Sequence, residues 1–141
     1  MRKIGILALL VSLAAGLWAQ EQGSVTTLEF DGKMALFSVD ASAPKAGDVT
    51  TVALENLFRA LLDEGVEGVN NGQRFMEIEN AKWKENFFKS KNSPYMSYVK
   101  GIQNEGEPLK TDVGDYKGTV LVRVNIDFFV RQLKAYGIMK K

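Results

Sequence analysis

Histidine and cysteine are both absent from this chain of 141 residues. Without them the chain can build neither a Ser-His-Asp nor a Cys-His catalytic site, and it lacks the side chains that bind most zinc and copper ions. Disulfide bonds are excluded as well, and with them the small disulfide-stabilised scaffolds of many secreted proteins. Carboxylate chemistry, Ser/Lys chemistry and Ca²⁺ binding remain open. We expect a non-enzymatic protein without a cofactor or a bound metal.

An excess of charge of either sign is also missing. The chain carries 18 basic and 17 acidic side chains, which gives a formal net charge of +1 at pH 7. A protein that is drawn to nucleic acid or to an anionic membrane by its overall field is usually strongly basic. We therefore expect no nucleic-acid partner.

The longest apolar run lies at the N-terminus, and it is short. Two basic residues, Arg2 and Lys3, precede an almost wholly apolar stretch over residues 4–15, and Ala19 supplies a small residue at a plausible cleavage point. This order is typical of a secretory signal peptide, which we predict over residues 1–19. The run is shorter than the ~20 residues that a bilayer-spanning helix needs, although an uncleaved membrane anchor is the alternative.

Cleavage after residue 19 leaves residues 20–141, which we predict to form a single domain of 122 residues. That length is sufficient for a hydrophobic core without disulfide or metal staples. We expect no stable membrane span after cleavage. No cysteine lies near the cleavage point, which excludes a lipid-anchored bacterial lipoprotein. An exported domain without cysteine favours a bacterial periplasmic or secreted location.

Alternating apolar and polar residues predict several strands. Residues 26–30 and 33–39 flank Asp31-Gly32, a dipeptide typical of a two-residue type I′ hairpin turn, and one long strand with a glycine bulge is the alternative. The clearest alternation covers residues 119–126, where Val120, Val122, Val124 and Ile126 share one face. Shorter strands are predicted over residues 75–78, 95–103 and 109–113, and a loop over 41–47.

Three segments have the period of an amphipathic helix. The first covers residues 49–64, with Asp48 as its N-cap and Gly65 as its stop. The second covers residues 80–89, and the third begins after Asp127, which we predict to be its cap.

Strands and helices in this order predict an α+β fold, with a mostly antiparallel sheet of about three to five strands packed on one face by two or three helices. We expect the valine face of residues 119–126 to be buried against Leu57, Phe58 and Leu61 of the first helix and Leu133 of the last. Only the first helix has an apolar face wide enough to cover that strand.

Three acidic residues, Asp63, Glu64 and Glu67, follow the end of the first predicted helix. Carboxylates at a helix C-terminus oppose the helix dipole, and such a mismatch can mark a cation site. The alternative is a solvated acidic turn, because unpaired Asp and Glu are almost always exposed. The spacing does not match a Ca²⁺-binding loop.

The segment from Lys82 to Tyr98 is rich in lysine and aromatic residues. Five of its side chains are our candidate ligand-binding residues: Lys82, Trp83, Lys84, Tyr95 and Tyr98. Aromatic rings can stack on sugar rings or bases while ammonium groups hold anions. The alternative is that the rings belong to the core and lysine stems cover them, because Trp83 and Phe87 have the i, i+4 spacing of a packed helix face.

Glycine placement and hydrophobic spacing over residues 37–137 carry a family resemblance. It rests on the helix over residues 52–62 with Gly65-Val66-Glu67-Gly68 after it, on residues 98–102 and 118–124, and on the last helix with Leu133. The chain resembles small envelope domains related to the N-terminal part of flagellar assembly protein T and to small outer-membrane lipoproteins of flagellated bacteria. The resemblance implies a periplasmic α+β interaction domain without enzymatic activity. The chain departs from the lipoprotein members because it lacks a lipidated cysteine, so their outer-membrane anchoring does not carry over from the resemblance.

These observations lead to one favoured function and two alternatives. The favoured function is a non-enzymatic envelope interaction domain with an envelope protein as its partner, and the resemblance implies service to a flagellum or another envelope assembly. The first alternative is a module that binds cell-wall glycan or another polyanion through the Lys82–Tyr98 segment. The second is a carboxylate-dependent hydrolase, which would need two carboxylates facing each other across a cleft.

Overall fold

The computed structural model describes residues 24–89 and 93–141, so the predicted signal peptide and residues 20–23 lie outside the described residues. Within these two ranges, five strands form one antiparallel sheet and three α-helices accompany it. The fold is α+β, as predicted. The strands are β1 (Ser24–Phe30), β2 (Met34–Ala43), β3 (Val99–Asn104), β4 (Leu109–Lys110) and β5 (Tyr116–Asn125). The helices are α1 (Val49–Arg59), α2 (Ala81–Phe87) and α3 (Ile126–Ala135).

Strand β5 is the centre of the sheet. The strand order is β1-β2-β5-β3, and β4 pairs with β5 as well. Asn104 of β3 pairs with Val120 of β5, whereas Leu109 of β4 pairs with Lys117 of β5. Strands β3 and β4 therefore follow one another along the same edge of β5, and residues 105–108 interrupt that edge. Interruptions of this kind protect an edge strand from pairing with another chain.

The predicted hairpin is confirmed, and the alternative of one long strand is wrong. Strands β1 and β2 pair antiparallel around a loop of three residues, not two. The Asp31 carboxylate accepts hydrogen bonds from the backbone N–H groups of Lys33 (2.9 Å) and Met34 (2.8 Å). Gly32 has φ +96°, a conformation that favours glycine. The aspartate side chain thus replaces part of the turn hydrogen bonding, which allows the longer loop.

The valine face of β5 is buried, as predicted. Val120, Val122 and Val124 have at most 1% of their surface exposed, and they pair across the sheet with Val39, Phe37 and Ala35 of β2, which are equally buried. Leu57, Phe58, Leu61 and Leu133 belong to the same hydrophobic core. The opposite face of β5 carries Thr119, Leu121 and Arg123, which are half-buried or exposed. One face of the sheet is therefore covered, and the other is open.

The first predicted helix ends at the predicted place but changes its winding. It is α-helical to Arg59 and continues as a π-helical turn, Ala60–Glu64. The Gly65 N–H donates to the Ala60 carbonyl at 2.8 Å, and a Cβ at Gly65 would overlap the Gly72 carbonyl oxygen. Asp48 occupies the N-cap position of this helix, as predicted, and is also the last residue of a 3₁₀ turn, Ala46–Asp48. Its side chain makes no capping hydrogen bond.

The predicted strand over residues 75–78 is wrong because its backbone groups bond to helix ends. The N–H groups of Phe75 and Met76 donate to the carbonyls of Leu61 and Leu62, at 2.9 and 3.1 Å. The next two N–H groups both donate to the Ile138 carbonyl just after α3. The last turn of a helix leaves carbonyls without an intrahelical partner, and this segment satisfies them.

Strand and helix boundaries differ from the predictions at four further places. The predicted strand over residues 119–126 is β5, Tyr116–Asn125, and Ile126 is buried as the first residue of α3. Strand β2 extends to Ala43, so the predicted loop over residues 41–47 starts too early, and the predicted strand over residues 109–113 is only two residues long. The predicted strand over residues 95–103 is a 3₁₀ turn, Pro94–Tyr98, followed by β3.

Helix α3 is capped by Asn125, not by Asp127. The Asn125 side chain accepts a hydrogen bond from the Phe128 N–H at 3.0 Å, while Asp127 lies inside the first turn. Asn125 is the last residue of β5, so strand and helix join without a loop. Gly137, with φ +75°, follows the end of α3. No helix in the described part of the chain is long and apolar enough to cross a membrane.

Candidate functional site

Helix α2 begins at a side-chain cap and presents Trp83 toward α3. The Asn80 side chain accepts a hydrogen bond from the Trp83 N–H at 3.0 Å, which is the expected role of an asparagine at this position. The Trp83 ring stacks on Phe87 one turn later, with centroids 4.8 Å apart and planes 20° apart. Phe87 is buried and Trp83 is partly exposed. Core packing therefore holds the Trp83 ring in one orientation.

The 3₁₀ turn before β3 directs both candidate tyrosines into the core. Tyr95 is 2% exposed and Tyr98 is 7% exposed. The Tyr98 ring lies 5.0 Å from Phe129 and 6.1 Å from Phe87, and the Tyr95 ring lies 5.5 Å from Phe58. Burial raises the pKa of both phenols above the ordinary value of 10.0. Both side chains therefore remain neutral hydroxyl groups at neutral pH.

Helix α3 supplies the opposite wall. Phe128, Gln132 and Tyr136 recur every four residues and so lie along one side of the helix. The Phe128 ring lies 5.3 Å from Tyr98, and the Tyr136 ring lies 6.5 Å from Trp83. Tyr136 is 58% exposed, whereas the other side of the helix, with Phe129 and Leu133, is buried.

These three elements enclose a concave surface of about 340 Å³, which we call the aromatic groove. It is lined by Trp83, Asn86, Phe87, Pro94, Ser97, Tyr98, Phe128, Gln132 and Tyr136. No lining residue is charged. The lining combines aromatic rings with two amide groups and three hydroxyl groups, which can donate and accept hydrogen bonds. The volume lies at the small end of the range of ligand pockets, ~300–1,000 Å³.

The structure places the five predicted site residues in four environments. Trp83 and Tyr98 line the groove, and Tyr95 lies in the core. Lys82 is exposed and does not line the groove. The Lys84 ammonium group forms an ion pair with the Asp63 carboxylate, with Nζ and Oδ1 2.7 Å apart. A site that combines ring stacking with anion binding would require the lysines and the aromatic rings to form one continuous surface. They do not form one here.

Seven groove residues are absent from the predicted set. They are Asn86, Phe87, Pro94 and Ser97 of the Lys82–Tyr98 segment, and Phe128, Gln132 and Tyr136 in α3 or directly after it. The available signal was the four-residue spacing of Phe128, Gln132 and Tyr136, with a large aromatic residue left at the exposed end of the helix. The tertiary contact between α2 and α3 brings them together with Trp83, and nothing in local periodicity indicates that contact.

The acidic residues Asp63 and Glu67, considered above as part of a cation site, interact with protein groups. Asp63 pairs with Lys84, and the backbone carbonyl of Glu67 accepts a hydrogen bond from the Thr27 hydroxyl at 2.6 Å. Among residues 24–89 and 93–141, no group of three or more acidic residues is arranged to hold a metal ion. The cation site that the helix end could have marked is not formed by the residues described.

A second cavity, of about 610 Å³, is lined mainly by residues of β1, β2, β4 and β5. In its wall, Asp40 accepts hydrogen bonds from the hydroxyl groups of Ser24 (2.8 Å) and Thr119 (2.7 Å), its partners on the two neighbouring strands. Glu105 and Glu107 also line this cavity. Both oxygens of Asp40 are thus engaged in a row of hydrogen bonds across three strands, which is a stabilising cross-strand arrangement.

Comparison of the chain with protein-family models, with curated proteins and with solved structures gives no match in any of the three. The resemblance to the flagellar assembly protein T domain therefore stays a prediction.

Proposed function

We propose that this chain is an exported, non-enzymatic interaction domain of the bacterial cell envelope, and that it binds an envelope component in the aromatic groove. The groove carries this proposal, because it is a concave surface on which aromatic side chains remain partly exposed in a lining without charge. The signal-like N-terminus supports export, and the absence of histidine and cysteine supports a binding role over a catalytic one.

Two properties make the groove suitable for binding. Trp and Tyr bury a large area on contact at a low cost in side-chain entropy, which is why they dominate binding hot spots. The groove is also preorganised, because its floor consists of core residues such as Phe87 and Tyr98. A rigid site loses less conformational entropy on binding.

Two kinds of envelope component are candidates. An envelope protein, as part of a flagellar or other envelope assembly, follows from the resemblance described above. Cell-wall glycan or another polyanion follows from the chemistry of the Lys82–Tyr98 segment. The Lys84–Asp63 ion pair weakens the polyanion alternative, because it leaves one of the two predicted anion-binding lysines neutralised.

Co-sedimentation with cell envelopes of the native host tests the proposal. Tyr136→Ala removes the most exposed ring of the groove, and Phe30→Ala is the matched control, because Phe30 is an exposed aromatic residue on β1 outside the groove. We expect Phe30→Ala to bind like the unaltered protein and Tyr136→Ala to bind at least about tenfold more weakly. Equal retention of all three proteins, with unchanged circular dichroism, would remove the groove from the proposal.

Export is tested separately by mass spectrometry of the N-terminus of the protein from its native cell. We expect the chain to begin at or near Gln20 in a periplasmic or culture fraction. An intact Met1 on a cytoplasmic species would contradict export.

A further inference from the structure

We infer that the ligand of the aromatic groove is an uncharged glycan, with a sugar ring packed on Trp83 and Tyr136 and its hydroxyl groups bonded by Asn86 and Gln132. This inference rests on the proposed function, because it names the class of ligand for the same groove. It follows from the size of the groove, its charge and the kinds of side chain that line it.

The size of the groove favours a short saccharide over a folded protein. Nine residues line it, whereas a stable protein interface takes ~20–30 residues on each side. Its volume of about 340 Å³ suits a small ligand or a short segment of a polymer. The other strongly exposed apolar residues, Leu28, Leu109 and Val113, do not line the groove and so do not extend it into a larger apolar interface.

The charge of the groove favours a neutral ligand over a polyanion. Cationic side chains form the strong, charge-assisted hydrogen bonds that favour binding of a polyanion. None of the lining residues is cationic, Lys82 lies outside the lining, and Lys84 is paired with Asp63. Arg131 lies over the Phe128 ring, with its guanidinium carbon 5.6 Å from the ring centroid, and is paired with Asp127. An anionic ligand would have to lose its hydration in the groove without gaining an opposite charge, which is unfavourable.

The lining chemistry matches a sugar. A pyranose ring has faces of C–H groups and a rim of hydroxyl groups, each of which donates and accepts hydrogen bonds. Trp83 and Tyr136 supply apolar ring surfaces for the C–H groups, with centroids 6.5 Å apart. The amides of Asn86 and Gln132 and the hydroxyl of Ser97 also donate and accept, so they are complementary to sugar hydroxyls.

Tryptophan emission provides a direct measurement at the groove. The chain has two tryptophans, Trp18 in the predicted signal peptide and Trp83 in the groove. In the processed protein, or in full-length Trp18→Phe, Trp83 is the sole tryptophan, and its emission is excited selectively at a wavelength that tyrosine does not absorb. Titration with three neutral trisaccharides, triacetylchitotriose, cellotriose and maltotriose, should shift this emission for at least one of them. Raising NaCl from about 0.05 to 0.5 M should leave the affinity nearly unchanged, because no ion pairs form.

Variants identify the contacts. We expect Tyr136→Ala to weaken sugar binding at least tenfold, Tyr136→Phe to retain most of it, and Gln132→Ala to weaken it by about three- to tenfold through a lost hydrogen bond. Phe30→Ala should bind sugar like the unaltered protein. Thermal unfolding of each variant checks that the fold is intact.

Different experimental results would contradict the glycan as the ligand and the groove as the binding site. Envelope binding that depends on Tyr136, together with no emission change from any neutral trisaccharide, overturns the glycan and leaves the groove as a site for a protein, which protease treatment of the envelopes would then abolish. Binding of polyphosphate that weakens steeply with salt also overturns the neutral glycan. Envelope binding that does not depend on Tyr136 overturns the proposed function itself.

Discussion

The two faces of β5 come from alternate residues of one ten-residue strand, yet they differ in what covers them. On the covered face, Val120, Val122 and Val124 lie beneath the helices and are almost fully buried. On the open face, Leu121 is half-buried and Arg123 is exposed. The difference teaches that backbone pairing alone does not bury a side chain. A second layer does so, and the helices provide it on one face.

The contrast between the faces also explains where the groove lies. The covered side contains a continuous set of ring contacts, in which Phe87 touches Phe58, Tyr95, Tyr98 and Phe129. The groove is the place where this set of contacts reaches the surface, at Trp83 and Tyr136. The open face carries hydroxyl and carboxylate groups instead, as in the row of Ser24, Asp40 and Thr119.

We expect the largest loss of stability from a substitution on the covered side of the sheet. Phe58→Ala removes a fully buried ring in contact with Phe87, Tyr95 and Phe129. We expect a loss of about 3–5 kcal/mol in the free energy of unfolding, from lost burial and from the cavity that remains. Urea denaturation measures it. A loss below about 1 kcal/mol would mean that the covered side is not a packed core.

The second prediction compares the two faces within β5. Val122→Ala should cost about 1–3 kcal/mol through lost burial and a residual cavity, because Val122 is fully buried. Leu121→Ala should cost less, although leucine is the larger residue, because Leu121 is only half-buried. Both variants are compared by denaturation under the same conditions. Equal costs would show that the open face is covered too, and the architecture with one helical layer would then be wrong.

A smaller effect separates two residues at the junction of strand and helix. Asn125→Ala should cost about 0.5–2 kcal/mol, because its side chain caps α3 by accepting the Phe128 N–H. Asp127→Ala should cost less, since Asp127 forms only an exposed ion pair with Arg131, with Oδ2 and Nε 3.2 Å apart. Thermal unfolding of both variants provides the comparison. The reverse order would restore Asp127 as the cap.

We expect the smallest change in stability from a substitution in the exposed hairpin loop, which lies away from both faces of β5. Backbone hydrogen bonds from Met34 and then Lys33 lower the pKa of Asp31 below its ordinary value of 3.8. A lowered pKa in the folded protein stabilises it above pH 3.8, and this contribution disappears as the pH falls through the lowered value. Asp31→Asn should therefore be less stable than the unaltered protein at pH 7, and the two should converge toward pH 2. A constant difference across that range would contradict the assignment.

Local patterns predicted the elements whose partners lie nearby in the chain. The valine alternation of β5, the hairpin at Asp31-Gly32 and the stop at Gly65 depend on pleat, turn and left-handed backbone geometry, so the residues themselves indicate them. The predictions for residues 75–78 and for Asp127 were wrong because their outcome depended on distant or competing groups. The N–H groups of residues 75–78 donate to carbonyls of the π-helical turn after α1 and of Ile138, and Asn125 caps α3 in place of Asp127.

In the candidate site, too, some features follow from the local sequence and others depend on distant contacts. The sequence by itself determined the chemistry that is excluded, since a chain without histidine or cysteine cannot use either side chain, and it determined that Trp83 and Phe87 share a helix face. Only the tertiary structure decided that Tyr95 is core, that Lys84 pairs with Asp63, and that Tyr136 completes a groove with Trp83. Tyr136 lies 53 residues after Trp83, and period and propensity describe only the first few neighbours along the chain. The packing of α2 and α3 over one face of the sheet brings the two rings together.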